Sequence, residues 1–176
     1  MKVFRLYMDY DKEENFLNNM VKSGWAMKSF FLGVYTFERC NPGEYTYRIE
    51  LLDNLPLTNK SMEYISFVTE TGAECIQSWG RWVYFRKRAS GEDFVLYSDL
   101  VSKIAHYRKI RLMLGVVALA ELTFTINMMT SFLKHGSISA LIITIFLLGV
   151  TLFIGCGAIK THKKIQKLSI DTDMNK

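Results

Sequence analysis

A single carboxylate, Glu121, stands near the middle of 22 residues, Leu112 to Leu133, that otherwise carry no formal charge. On a water-facing helix such a residue is ordinary. In hydrocarbon an ionised carboxylate costs at least about 3 kcal/mol on insertion scales, so it needs either a partner or a proton. Three chemistries stay open. Glu121 meets a polar group on another subunit or on a partner membrane protein, or it is protonated and hydrogen-bonded within its own helical hairpin. The third is proton or cation movement, which would require oligomers because two helices are too few to enclose a pathway.

A second run of chemistry-bearing types is Trp79-Gly-Arg-Trp82-Val-Tyr84-Phe85-Arg-Lys-Arg88, which interleaves aromatics with bases. On a sheet face, Trp25, Trp79, Trp82, Tyr84 and Arg86 are a candidate surface for a ligand or partner, with aromatic faces suited to a hydrophobic or cationic molecule. The same pattern arises in an edge or half-buried strand packed for stability alone. Stacking of single-stranded bases is a weaker reading, since nucleic-acid binding needs a basic surface on the binding domain. Residues 1–97 hold 12 Lys and Arg against 13 Asp and Glu, whereas residues 98–176 hold 10 against 4. The net charge of +5 therefore belongs to the C-terminal part, and nucleic acid is not an expected partner.

No nucleophile elbow, P-loop, glycine fingerprint or metal motif occurs, and His106, His135 and His162 all fall outside residues 1–97. No catalytic residue, metal or cofactor is expected. Arg48 with Glu50, and Glu38 with Arg39, read as cross-strand ion pairs on a solvated face, worth under about 1 kcal/mol each. Cys40, Cys75 and Cys156 form no CxxC or Cys/His pair, which suggests a reducing compartment. The N-terminus has no apolar run before its first acids and so does not read as a signal peptide.

Two elements must position Glu121. Residues 112–133 and 138–159 are each 22 residues of mostly apolar sequence, about 33 Å of helix, enough to cross a bilayer. Around them Lys103, Arg108, Lys109, Arg111, Lys160, Lys163 and Lys164 form basic flanks, against one lysine, Lys134, in the connection. This asymmetry predicts a multi-pass protein of the cell membrane with both termini cytoplasmic, its flanks attracting anionic headgroups by about 1 kcal/mol per residue. A hairpin turning at 134–137 sets Gly149, Val150 and Thr151 opposite Glu121. Gly149 is expected to allow close helix approach, Thr151 to offer a hydroxyl, and Thr125 to lie one turn along the same face.

The preceding residues read as an α+β domain. Lys2 to Met8 alternates as a strand; Asp11 with Glu14 suggests a capping box for a helix ending at Gly24. Strands follow at 25–31, 34–39 and 45–52, a helix at 59–71 burying Met62, Ile65 and Val68, then strands at 73–79 and 81–88. The expected arrangement is a ferredoxin-like antiparallel sheet with two helices and extra strands, followed by a two-helix transmembrane hairpin. Its parts are a cytoplasmic domain at 1–97, a basic juxtamembrane helix at 98–111 capped by Ser98 and Asp99, spans at 112–133 and 138–159, and a basic tail at 160–176.

The stretches Phe16 to Trp25, Tyr35-Thr-Phe37-Glu38, Pro42-Gly-Glu-Tyr45-Thr-Tyr47-Arg48-Ile-Glu50 and Gly80-Arg81-Trp82-Val-Tyr84-Phe85 resemble an uncharacterised bacterial membrane-protein family, domain of unknown function 2812 (DUF2812). The resemblance covers most of residues 1–110 and implies C-terminal transmembrane helices. It also implies genes beside PadR-type repressors, hence an inducible membrane or envelope-response role, and supplies no catalytic residues. The functional expectation is a non-enzymatic membrane protein whose domain senses something or binds protein, by self-association or with another membrane component. The alternatives are a small-ligand-sensing module and a membrane-bound enzyme.

Overall fold

The computed structural model describes residues 1–89, 94, 96 and 100–174 and divides into two compact units, Met1–Ser98 and Asp99–Lys176. The first unit runs β1 (Lys2–Phe4), α1 (Tyr10–Lys22), β2 (Trp25–Phe31), β3 (Val34–Arg39), β4 (Tyr45–Leu51), α2 (Asn59–Glu70), β5 (Ala73–Trp79) and β6 (Trp82–Arg88). The fold is α+β, and its strands divide between two three-stranded antiparallel sheets, β1-β3-β2 and β4-β6-β5.

Each sheet comes from one β-α-β-β segment, and the two segments are copies in topology, with helix ends and bulges offset by 48 residues. Gly24 and Gly72 both end a helix at positive φ, +80° and +86°. The bulge between Met27 and Ser29 recurs between Cys75 and Gln77, where one extra residue bends the strand. No side chain repeats strongly enough to advertise this; the shared feature is turn and bulge chemistry.

Gln77 joins the copies. Its side-chain carbonyl accepts from the Phe30 N–H at 2.7 Å and its amide donates to the Phe30 carbonyl, so it substitutes for a backbone unit between β2 and β5. On the outer edge of β4, Asn18 of α1 accepts from the Tyr47 N–H at 2.8 Å and donates to the Tyr47 carbonyl, while Glu14 accepts from the Ile49 N–H at 3.0 Å. Edge groups that would otherwise template another strand are thereby occupied.

Local details depart from sequence expectation. The cap of α1 is Asp9, whose carboxylate accepts from the Asp11 N–H, and not Asp11 with Glu14; Glu14 is committed to β4, where it also pairs with Arg48 at 2.9 Å. Arg48 therefore does not pair along its strand with Glu50, which is itself buried, and Glu38 faces Arg86 at 3.8 Å while Arg39 lies over the Trp25 ring. Met62 is exposed, and α2 instead buries Val68 against Val83, Phe85, Ala73 and Leu52, with Tyr64 and Ile65 at the margin.

The second unit is a hairpin of α3 (Leu100–His135) and α4 (Ile138–Met174). The segment expected as a juxtamembrane helix is continuous with the first apolar stretch, and the basic tail continues α4; the expected cap at Ser98 and Asp99 lies outside the described residues. At 36 and 37 residues each helix is about 54 Å long, well beyond the roughly 30 Å of a bilayer core. Among the α4 residues withdrawn from the surface, Ala140, Thr144, Leu147, Thr151, Ile154, Ala158, Thr161, Ile165 and Leu168 recur at alternating steps of four and three, with Leu141, Val150, Gly155, Gly157, Lys164 and Ser169 beside them. That alternating spacing of four and three is the seam of a left-handed coiled coil, and it continues past the apolar stretch.

Candidate functional site

In the first unit a carboxyl on the inner face of α1, Glu13, meets hydroxyls from both sheets. This residue shares the inner stripe of α1 with Tyr10, Leu17 and Val21, so helical spacing alone turns its carboxylate toward the sheets. Tyr35 of β3 and Tyr84 of β6 each donate a hydroxyl to the same oxygen, Oε1, at 2.7 Å. One carboxyl thus ties a strand from each copy to a single helix.

Aromatic rings surround the trio. Phe30 lies 4.7 Å from Tyr35 and 5.7 Å from Tyr84, Trp79 lies 6.1 Å from Phe30, and Tyr10 lies 6.2 Å from Trp82. Burial raises the Glu13 pKa above its ordinary 4.5, opposed by the hydrogen bonds from Tyr84 and Tyr35, which favour the charged form. Burial, reinforced by the neighbouring Glu13 charge, drives both phenols far above the usual tyrosine range. The arrangement eases protonation of Glu13 relative to an exposed carboxyl; it offers no activated nucleophile, and among the described residues no three His, Cys, Asp or Glu side chains are grouped to hold a metal.

The residues singled out from sequence fall around this point unevenly. Tyr84 belongs to it, Trp82 and Trp79 flank it through Tyr10 and Phe30, and Trp79 also meets Phe31 at 5.3 Å. Trp25 is covered by the Arg39 guanidinium at 4.0 Å, and Arg86 is occupied by Glu74 at 2.6 Å and by the Tyr45 ring at 4.3 Å. Glu13, Tyr35 and Phe30 were missed. The available signal was a charged residue on the apolar stripe of an amphipathic helix.

In the second unit Glu121 is half-buried, and its Oε2 is enclosed without a hydrogen-bond partner. Thr125 donates to the Glu121 backbone carbonyl at 2.8 Å, and Thr151 donates to the Leu147 carbonyl at 2.9 Å, so neither hydroxyl serves the carboxylate. Each follows the i to i−4 habit of threonine inside helices. Gly149 does not mediate close approach: it is exposed, and nothing lies within 4 Å of where its Cβ would be. It falls off the seam that Leu147 and Thr151 occupy.

Of the basic flank, Arg111 donates to His162 Nδ1 at 2.9 Å and Lys164 lies 5.4 Å from the Tyr107 ring centre. Arg108, Lys160 and Lys163 are exposed, while Lys103 and Lys109 are half-buried. Both helices are long and apolar enough to cross a membrane, with mean hydropathy of 1.7 and 2.6. Only 6% and 17% of their most apolar windows are buried, unlike the core helices of a water-soluble fold.

A paired β-α-β-β domain followed by an apolar helical hairpin is the class that these features define. The chain belongs to the family described as protein of unknown function (DUF2812), whose model matches residues 9–119, from the start of α1 into the apolar part of α3. No curated protein and no solved structure matches the chain.

Proposed function

We propose that this is a non-enzymatic membrane protein that crosses the bilayer twice with both termini in the cytoplasm, and whose N-terminal domain is a protein-interaction or sensing module. The observation that carries the reading is the apolar hairpin, which leaves most of its hydrophobic surface uncovered while enclosing a carboxylate oxygen without a partner. Such a group in hydrocarbon is a functional element by default, because its cost must be recovered by an interaction. Glu121, half-buried, with exposed Gly149 at the same level, is the contact with a second copy or another membrane protein, while Thr125 and Thr151 line the hairpin behind it. Exposed Gly149 gives that partner room to approach. The basic flanks, Lys103, Arg108, Lys109, Arg111, Lys160, Lys163 and Lys164, hold anionic headgroups. An envelope-response role linked to a PadR-type regulator is the biological setting that the family resemblance implies.

A second reading has its own support: Glu13, enclosed by aromatic rings and two phenols, has the composition of a site for a small cationic amphipathic molecule. Crosslinking in native membranes, then mild-detergent purification and mass spectrometry, separates the two readings. A stoichiometric partner or a homo-oligomer, lost in Glu121→Leu while the variant still inserts, is the expected result. Recovery of the chain alone, with assembly indifferent to Glu121→Leu, overturns the first reading and moves the search to ligands of the domain.

A further inference from the structure

The hairpin carries an open groove of about 570 Å³ on its outer surface, lined on α3 by Gly115, Ala118, Leu119 and Leu122 and on α4 by Thr151 and Gly155, with Arg111 at its mouth. Its volume falls in the range of small-molecule sites, and its walls are apolar apart from that guanidinium. The groove exists because two glycines withhold side chains: a Cβ at Gly115 or Gly155 would meet nothing within 4 Å. Arg111 and the His162 that accepts its hydrogen bond, at 2.9 Å, place two nitrogen-bearing side chains at the end where the sequence turns from apolar to basic.

Length decides what fits. From Arg111 to Leu122 the groove follows 11 helical steps, about 17 Å, which is close to half of a roughly 30 Å hydrocarbon core. A groove confined to one half of the hydrocarbon core and ending at a guanidinium matches the reach of a molecule held within one leaflet. A lipid occupies one leaflet, its phosphate at the basic boundary and an acyl chain along the apolar wall. We propose that this groove is a binding site for one anionic phospholipid of the cytoplasmic leaflet, its phosphate held by Arg111 with His162 and one acyl chain lying over Gly115 and Gly155. The site rests on the membrane reading given above, and goes beyond general attraction of headgroups to a basic flank by fixing one lipid in one place.

The test is native mass spectrometry of the full chain purified in mild detergent and supplied with phosphatidylglycerol or phosphatidylcholine. The wild-type chain retains one phosphatidylglycerol in preference to phosphatidylcholine. Arg111→Gln, at an exposed position, reduces that preference about fivefold, the factor equivalent to roughly 1 kcal/mol of headgroup attraction. Gly155→Leu, whose Cβ would meet nothing within 4 Å, places a side chain in the groove and loses the retained lipid, with helicity by circular dichroism unchanged. Lipid retention unaltered in Gly155→Leu, or equal retention of both lipids regardless of Arg111, overturns the site. A dimer that disappears in Gly155→Leu also overturns it and assigns the groove to a second copy. Alkaline carbonate extraction keeps the two levels apart. A chain that resists extraction yet retains no lipid fails this inference alone, whereas a chain stripped from the membrane fails the membrane reading with it.

Discussion

At the scale of single residues, Glu13 and Glu121 show how one side-chain type is handled in two settings. Glu13 receives two hydroxyl donors, and its elevated pKa has a definite consequence for stability. A carboxyl whose folded pKa lies above its unfolded value favours folding fully below the unfolded value, here near 4.5, and loses that contribution as pH rises through the folded value. Glu13→Gln keeps an acceptor for both tyrosines and has no charge to bury. Its melting temperature should therefore exceed the wild type by more at pH 7.5 than at pH 4.5. All three tryptophans, Trp25, Trp79 and Trp82, lie in this domain, so their fluorescence reports its unfolding in the full chain. Parallel pH profiles for the two proteins would remove Glu13 as the titrating group. Glu13→Leu leaves two phenols without an acceptor, at about 1–3 kcal/mol each. Glu121 was legible in the sequence because charge is conspicuous among 22 apolar residues; Glu13 was not, because its neighbours on α1 are themselves charged. Only the three-and-four spacing from Tyr10 and Leu17 betrays it.

At the scale of elements, strand and helix positions follow alternation and glycine punctuation closely, and β2, β3 and β5 have the expected bounds. What those signals lack is which strand neighbours which. The two sheets are tied through Gln77, a polar side chain standing in for backbone pairing between β2 and β5, and no local periodicity encodes that substitution. Gln77→Leu removes both bonds to Phe30 and leaves its N–H and carbonyl unpaired at the junction. The expected cost is about 1–3 kcal/mol per orphaned group, read as a lower denaturation midpoint by tryptophan fluorescence. A midpoint within error of the wild type would mean that the sheets are held together by ring packing alone. The hairpin differs in kind: its seam of Ala140, Thr144, Leu147 and Thr151 is a sequence pattern, yet hydropathy masks it, since most neighbours along α4 are apolar. Gly149 shares the depth of Thr151 but faces away from the seam, because equal depth on a helix does not fix facing direction.

At the scale of the whole molecule, a near-neutral α+β domain precedes a hairpin whose charge is concentrated at one end. The break in composition coincides with the start of the two apolar helices, which is why the two-part organisation could be read from composition while the activity could not. Loss of a co-purifying partner in Glu121→Leu, with insertion retained, is the prediction that belongs to this scale. The most direct measurement is cysteine labelling in intact cells, with Cys40, Cys75 and Cys156 replaced by serine and single cysteines placed at Ser137 and at Lys12. A membrane-impermeant maleimide should label Ser137→Cys from outside and reach Lys12→Cys only after permeabilisation. Labelling of Lys12→Cys in intact cells, or protection of Ser137→Cys until the cells are opened, would contradict a hairpin that crosses the membrane twice with its domain in the cytoplasm.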